Sequence, residues 1–181
     1  MVRQLNKDQL NNKCTLKTYK DKQLHIFDYD YTLYILEAND VYKNYVKKKI
    51  LELYNMGKTI AIASHNICAK RNLQKKYSDI YHCFSKFICD YPREKDSMVR
   101  EILNDFKYGP DDAIFYDDMR FNVEKVRDLG VTTYLVNTFN GIIFEDIVFD
   151  GKNDNIYDQV YGHRHMNIED YDIYVTNKKK D

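Results

Sequence analysis

The chain has 181 residues, with 28 Lys or Arg and 28 Asp or Glu, so its formal net charge is +0. This length favours a single domain, and a hydrophobic content of 44% is enough for a sizeable core. The neutral balance excludes the basic field that drives non-specific nucleic-acid binding, and it argues against a disordered acidic tail. Composition therefore indicates a globular domain.

The beginning of the chain and its cysteines indicate a compartment. Residues 1–22 are polar and no stretch approaches 18 apolar residues, so we expect no secretory leader and no membrane span. We expect free thiols in a reducing compartment, cytoplasmic or nuclear, because the cysteines lack Cys-x-x-Cys spacing. They are Cys14, Cys68, Cys83 and Cys89.

In chain order, the first half alternates apolar runs with helical periodicity. Residues 24–27 form a predicted strand that ends at Asp28. A helix over 40–56 follows, with Gly57 as its terminator. Residues 59–63 are a second strand, and a polar helix ends near Tyr77.

The second half continues the alternation. We predict strands at 84–89, 113–116 and 132–136, a helix over 96–107 capped by Asp96 or Ser97, and a short helix that stops at Gly130. The fold class is therefore α/β: a doubly wound, mainly parallel Rossmann-like sheet with helices on both faces. We expect a polar N-terminal extension over 1–22, a catalytic core over 23–150 and an appended segment over 151–181.

Paired carboxylates follow the first strand directly. Asp28 and Asp30 are two residues apart, so both can project to one side of the chain where ligands of open α/β sheets bind. Such crowding is costly unless a cation lies between the carboxylates, and a hard divalent ion is the usual one. The alternative is a solvated acidic turn.

Further polar residues lie at other predicted strand ends. Ser64 follows the second strand, Lys95 precedes the clearest helix, and Asp117 and Asp118 follow the fourth strand. Taken singly, these residues are typical of a helix cap, a surface charge and a turn. Together they place carboxylates, a hydroxyl and an ammonium group at one sheet edge, which is what a phosphate–magnesium site requires.

The order of these residues resembles the haloacid dehalogenase superfamily, and more closely its eukaryotic magnesium-dependent phosphatase family. The similarity covers about residues 22–150. It rests on FDYDYTL at 27–33, AIAS at 61–64, YPREK at 91–95, IFYDD at 114–118, Asn122, and LGVT at 129–132.

The resemblance implies a role for each motif residue. Asp28 would be the nucleophile that forms an aspartyl-phosphate, and Asp30 the general acid and then the base. Thr32 would buttress the loop beside the phosphate, where Ser64, His65 and Lys95 complete the phosphate-binding group. The implied cofactor is Mg²⁺, held by Asp28, the backbone carbonyl of Asp30 and Asp117, with Asp118 acting through water.

One position departs from the family pattern. His65 stands where the family has an arginine, and a histidine cannot replace the bidentate clamp of a guanidinium on equal terms. The substitution bears on the substrate and leaves the chemistry untouched. Tyr29, Tyr31, Asn66 and Asn122 are candidate substrate-lining residues from their places in the motifs.

Motif spacing leaves no room for a cap domain. Residues 33–63 and 65–94 are filled by the predicted helices, strands and loops, so we expect an open site. Such a site suits a phosphorylated protein side chain, phosphotyrosine-like, or another phosphate displayed on a macromolecule. Small sugar phosphates remain an alternative. We expect a monomer that binds neither nucleic acid nor membranes.

Three other functions fit parts of the pattern. A nucleic-acid 3′-phosphatase would share the chemistry, but it normally needs a basic stripe that a neutral chain does not offer. A phospho-acceptor domain of the response-regulator type has its lysine last, whereas Lys95 precedes the acidic pair in this chain. A degenerate binding domain would lack a turnover residue, and all are present.

Two further motifs are weaker. His163 and His165 could bind a metal, but without a third ligand nearby such a pair is usually at the surface. The lysines at 178–180 are typical of a charged terminus.

Overall fold

The structure is a computed structural model, which describes residues 17–36, 40–144 and 147–149. Strands and helices alternate along this part of the chain. In order they are β1 (Lys17–Thr18), β2 (Leu24–Phe27), α1 (Asp40–Asn55), β3 (Thr59–Ser64), α2 (Ala69–Lys76), β4 (Lys86–Cys89), α3 (Lys95–Phe106), β5 (Ala113–Asp117), α4 (Arg120–Arg127), β6 (Thr132–Leu135) and β7 (Val148–Phe149).

The central sheet has five strands in the order β4-β3-β2-β5-β6, and every neighbouring pair is parallel. A helix connects each strand to the next one along the chain, as parallel pairing requires. The predicted α/β class with a Rossmann-like sheet is therefore confirmed. β1 and β7 form a separate antiparallel pair.

Helices cover both faces of this sheet. On one face, α1 and α2 pack on strand residues such as Ile62 and Tyr116, and α1 presents buried residues at helical spacing from Tyr42 to Leu53. On the other face, α3 and α4 pack on residues such as Ala63 and Phe115. Because both faces are covered, the strands are mostly apolar, although β2 contains His25 and β6 contains Thr132 and Thr133.

Some element boundaries differ from the predicted ones. β4 begins at Lys86 instead of residue 84, because residues 81–83 form a 3₁₀ turn that Phe84 ends by donating its N–H to the Tyr81 carbonyl. α3 begins at Lys95, and its N-cap is Glu94, without a side-chain hydrogen bond, instead of the predicted Asp96 or Ser97.

Residues 17–22 belong to the predicted extension, and they pack on the core. Tyr19 is buried, with its ring centroid 5.0 Å from that of Phe144, and Lys22 Nζ donates to the carbonyl of Asp111 at 2.8 Å. The division at residue 22 remains a sequence-based prediction. Cys14, His163, His165 and the lysines at 178–180 lie outside the described residues.

The segments between the site residues are short. Apart from residues 37–39, which are not described, α1 and β3 account for the stretch between Thr32 and Ser64. Between Ser64 and Lys95 lie α2, the 3₁₀ turn and β4. Within their described residues, these stretches hold no inserted cap domain at the carboxyl edge of the sheet, where the five parallel strands end.

Two other sequence expectations can be compared with the described part of the chain. Cys68, Cys83 and Cys89 are free cysteines there. Within the same residues, none of the helices combines the length and apolar character that crossing a membrane requires.

Candidate active site

Lys95 lies at the centre of the strand-end residues. It is the first residue of α3, and its side chain is only 1% exposed. Its Nζ atom donates to Asp28 Oδ1 at 2.5 Å and to the carbonyl of Ala63 at 2.6 Å, and it lies 3.2 Å from Asp117 Oδ2. One buried ammonium group therefore joins the ends of β2, β3 and β5.

Asp117 is held in a fixed orientation. It is the last residue of β5 and is fully buried. Asn122 Nδ2 lies 3.1 Å from each of its carboxylate oxygens, and the Met119 N–H donates to Oδ1 at 2.8 Å. Asn122, a predicted substrate-lining residue, is itself buried, so it lies behind Asp117 and orients that carboxylate.

Asn66 connects Asp30 to the end of β3. Its Nδ2 donates to Asp30 Oδ2 at 2.9 Å, and its backbone N–H donates to Ser64 Oγ at 3.2 Å. Its Oδ1 accepts from the Cys68 N–H at 2.9 Å, which fixes the orientation of the amide. The structure thus brings together Asp30, Ser64 and Asn66, and it gives Asn66 a contact with the predicted acid.

A tight turn follows Asp30. Tyr31 has a positive φ of 54°, and its N–H donates to the Tyr34 carbonyl at 2.6 Å. Thr32 is fully buried in this turn, and its predicted roles in supporting the loop and in phosphate binding stay predictions. Tyr29, predicted to line the site, is also buried and packs in the core.

Two tyrosine hydroxyls donate hydrogen bonds to backbone carbonyls of this loop. Tyr42 of α1 donates its hydroxyl to the Thr32 carbonyl at 2.6 Å, and Tyr77 donates to the Leu33 carbonyl at 2.9 Å. Sequence reasoning gave neither residue this role. Nothing in the sequence could have done so, because a tyrosine on an apolar helix face looks the same whether its hydroxyl is bonded or not.

His65 contacts the loop that follows β4. Its Nε2 lies 2.8 Å from the Arg93 carbonyl, and since a carbonyl only accepts, Nε2 carries the proton and donates. The Tyr91 ring meets the imidazole edge-on, with centroids 6.0 Å apart. With Nε2 occupied by that carbonyl, His65 does not offer the bidentate donor that the arginine of the family pattern would supply.

Burial and neighbouring charges shift the pKa of two carboxyl groups in this cluster, Asp28 and Asp118. Burial raises the pKa of Asp28 above its ordinary value, the Lys95 ammonium opposes this, and the neighbouring Asp117 adds to it. The pKa of Asp118 is raised to about 6, by burial first and then by Asp117 and Asp28. This mutual repulsion indicates that the cluster has more negative charge than Lys95 alone balances.

The donor chemistry of the cluster fits Mg²⁺. Asp28 and Asp117 supply hard oxygen atoms on either side of one ammonium group, and both lie close enough to Asp118 to raise the pKa of its carboxyl group. Within the described ranges no group of three or more His, Cys, Asp or Glu side chains could hold a metal ion. This is compatible with magnesium, which binds through one or two carboxylates and retains water.

A cavity of about 250 Å³ lies beside the loop, away from these carboxylates. The rings of Tyr42 and Tyr77, whose hydroxyls hold the loop, form part of its wall, together with Tyr34. The predicted site residues are not among those that line it. The carboxylate cluster instead lies at the carboxyl edge of the sheet.

Comparisons with known proteins relate this fold to solved structures. No family model matches the chain, and no curated protein matches it. A solved structure of the N-terminal part of the protein BF1531 from Bacteroides fragilis, containing a phosphatase domain complexed with Mg, is similar, with a TM-score of 0.55 and 21% identity. The match covers 66% of this chain and only 37% of that one.

A second similar structure is a candidate phosphatase from Clostridium difficile, with a TM-score of 0.54 and 15% identity. It covers 67% of this chain and 87% of the other. An uncharacterized protein from Corynebacterium glutamicum matches with a TM-score of 0.50 and 15% identity, over 64% and 85% of the two chains. At these identities the likeness shows a shared α/β fold.

Proposed function

We propose that the protein is a magnesium-dependent phosphomonoesterase of the haloacid dehalogenase superfamily, closest to its eukaryotic magnesium-dependent phosphatases. The observation that carries this proposal is the buried Lys95 ammonium, which contacts Asp28 and Asp117 at the carboxyl edge of the sheet. Ligands of open α/β sheets bind at that edge. The phosphatase fold of the similar Bacteroides fragilis structure supports the same reaction class.

In the first step, an Asp28 carboxylate oxygen attacks phosphorus, and the bond from phosphorus to the leaving oxygen breaks. Asp30 gives its proton to that oxygen, which leaves as the alcohol. The short distance from Lys95 to Asp28 supports this role, because the ammonium partly neutralises the nucleophile as a phosphate dianion approaches. Ser64, at the end of β3, would donate its hydroxyl to a phosphoryl oxygen.

In the second step, water attacks the phosphorus of the aspartyl-phosphate, and Asp30 takes a proton from it. The bond from phosphorus to Asp28 breaks, which releases phosphate and restores the carboxylate. Asn66 orients the Asp30 carboxyl group for this transfer, because its amide donates to Asp30 Oδ2. Asp30 therefore gives up a proton in the first step and takes one back in the second.

Asp28, the carbonyl of Asp30 and Asp117 would hold Mg²⁺, with Asp118 acting through water. When bound, the ion would supply charge stabilisation for the phosphoryl oxygens. Asn122 and the Met119 N–H keep the Asp117 carboxylate oriented for that purpose.

The lack of an inserted cap domain in the described stretches between the site residues supports substrates whose phosphate is attached to a larger molecule. Phosphotyrosine-like groups on proteins are the first candidate, and sugar phosphates are the second. We propose a monomer in the cytoplasm or nucleus. A nucleic-acid 3′-phosphatase is less well supported, because the net charge is +0.

A non-catalytic phospho-acceptor or binding domain is the alternative from another class. Such a domain would keep a phosphate on Asp28 with no group nearby to activate water. Asp30, two residues away and bonded to Asn66, argues against it.

The test is hydrolysis of p-nitrophenyl phosphate with and without Mg²⁺, by the parent and by Asp28→Asn and Asp30→Asn. We expect the parent to require Mg²⁺ and both variants to lose at least about 100-fold in kcat. Asp111→Asn is the matched control, since Asp111 is exposed before β5 at the opposite sheet edge. Full activity in EDTA, or in Asp28→Asn, would falsify the proposal.

A further inference from the structure

Most of the large apolar side chains that the described residues expose lie at the carboxyl edge of the sheet, in the loops that follow its strands or in the first turn of α4. This is the edge that carries the candidate active site. Five of them form what we call the apolar rim: Tyr31 (47% exposed), Ile67 (71%), Tyr91 (71%), Met119 (55%) and Phe121 (56%).

Three rim residues are linked to the site by sequence or by contact. Tyr31 directly follows Asp30, and Ile67 follows Asn66, whose amide donates to Asp30. The Tyr91 ring contacts that of His65. These three rim residues therefore lie next to residues predicted to belong to the site.

The remaining rim residues lie beyond β5. Met119 follows Asp118, and its backbone N–H donates to Asp117 Oδ1. Phe121 is the second residue of α4, and Lys125 Nζ lies 4.3 Å from its ring centroid. The loops after β2, β3, β4 and β5 thus all present apolar surface around one polar centre.

Exposed apolar groups that lie together mark surfaces that bind other molecules. The carboxylates at the centre of the rim limit which molecules can cover the rim. A permanent partner, or a second copy of this chain, would also cover Asp28 and block the proposed reaction. A small sugar phosphate is polar and would leave the rim exposed to water. The occupant that uses both the carboxylates and the rim is the substrate itself.

We infer that the apolar rim docks a phosphorylated protein segment, with apolar side chains flanking a phosphotyrosine that reaches down to Asp28. The inference rests on the proposed function and narrows its substrate class. The recessed nucleophile favours a long phosphorylated side chain, because Asp28 is only 7% exposed. Binding energy from the flanking residues would hold the phosphate in place for attack.

The test compares two phosphotyrosine peptides of equal net charge, one with Leu and Phe beside the phosphotyrosine and one with Ser and Asn. Binding is measured with Asp28→Asn, and kcat/KM with the parent, alongside p-nitrophenyl phosphate. We expect the apolar peptide to bind at least about 10-fold more tightly and to react with a correspondingly higher kcat/KM. Equal values for the two peptides would overturn the inference.

Rim variants separate docking from chemistry. For Ile67→Ser and Phe121→Ser, we expect the ratio of kcat/KM for the apolar peptide to that for p-nitrophenyl phosphate to fall about 5- to 10-fold each. Tyr54→Ser and Met56→Ser are the matched controls, because these side chains are 44% and 46% exposed at the other sheet edge. We expect both controls to keep the parent ratio. A ratio that falls equally in the controls would contradict a rim-specific effect.

The outcomes distinguish this inference from the proposed function. If the parent hydrolyses p-nitrophenyl phosphate but does not distinguish the peptides, the rim inference fails and the phosphatase stands. If the parent hydrolyses nothing while the apolar peptide still binds preferentially, the phosphatase fails and the rim stands as a peptide-binding surface. Tighter, salt-sensitive binding of a 3′-phosphorylated oligonucleotide would overturn the choice of a protein substrate.

Discussion

Buried polar groups find their partners in different ways at the two edges of the five-stranded sheet. At the amino edge, His25 is buried at the start of β2, and its ring nitrogens lie 3.0 Å from the Tyr116 hydroxyl and 3.3 Å from the Lys22 carbonyl. The carbonyl only accepts, so Nε2 donates to it and Nδ1 accepts from Tyr116, which satisfies a neutral imidazole. At this edge the protein satisfies the buried group by itself.

At the carboxyl edge, the carboxyl groups outnumber the one ammonium group that lies between them. Lys95 is the ammonium group between Asp28 and Asp117, and Asp118 adds a third carboxylate whose pKa is raised to about 6. Groups that repel one another in the folded protein destabilise it unless a ligand compensates. The comparison teaches that the amino edge satisfies buried His25 within the protein, whereas the carboxyl edge leaves negative charge that the proposed Mg²⁺ would balance.

The largest effect that tests this difference is expected at Lys95. Lys95→Gln leaves Asp28 and Asp117 buried without their positive partner, so we expect the free energy of unfolding to fall by about 3–5 kcal/mol. Urea unfolding without Mg²⁺ measures this change. Mg²⁺ should then stabilise the variant, because the carboxylates are free to bind it.

Lys86→Gln is the matched control. Lys86 makes ion pairs with Glu101 and Asp105 at the surface, and exposed pairs contribute less than about 1 kcal/mol. If the two lysine variants lost the same stability, the Lys95 cluster would not be a buried centre of unbalanced charge.

A second prediction concerns the packing that supports the loop after β2. Gly141 has a φ of +70°, and a Cβ atom there would overlap the ring of Tyr42, whose hydroxyl holds the Thr32 carbonyl. We expect Gly141→Ala to lower the free energy of unfolding by about 3 kcal/mol, from the positive φ and from overpacking together.

Gly57→Ala separates these two causes. Gly57 has a φ of +74°, and a Cβ atom at this position would meet nothing within 4 Å, so we expect a loss of only about 1 kcal/mol from the backbone conformation. Equal losses in the two variants, measured by urea unfolding, would mean that the Tyr42 contact contributes nothing.

A further effect is expected at the amino edge and depends on pH. Burial lowers the pKa of His25 from 6.5 to about 3, so the folded protein keeps this ring neutral where the unfolded chain protonates it. The unfolded state therefore binds more protons between pH 6.5 and about 3. Stability from this residue is full above pH 6.5 and falls with decreasing pH by up to about 1.4 kcal/mol per unit.

Urea unfolding at pH 7, 6 and 5 checks this dependence. We expect His25→Gln to have a shallower loss of stability below pH 6.5 than the parent, and His82→Gln, at an exposed position, to keep the parent slope. A His25→Gln protein with the parent slope would mean that the burial of His25 is not the origin of the pH dependence.

The sequence predicted the central sheet well because its strands are apolar runs bounded by clear turn residues. Residues 24–27 and 113–116 correspond to β2 and β5, and the polar residues at their ends follow from parallel topology. The β1–β7 pair could not be predicted, because its strands have two residues each and lie far apart in the chain.

The sequence predicted which residues group at the site, but not the contacts that their side chains make. Asp28, Asp117 and Lys95 could be grouped because each lies at a strand end or at a helix start. The contacts from Asn66 to Asp30 and from Asn122 to Asp117 depend on tertiary packing between loops. Exposure also depends on that packing, so the apolar rim could not be recognised before the structure.

The most direct test of the central claim is to capture the covalent intermediate. The parent is mixed with p-nitrophenyl phosphate and Mg²⁺, quenched in acid during turnover, digested and examined by mass spectrometry. We predict a phosphate on Asp28 that requires Mg²⁺ and disappears in Asp28→Asn, with Asp111→Asn labelled like the parent. Turnover with no phosphate on Asp28, or with the phosphate on another residue, would contradict the account.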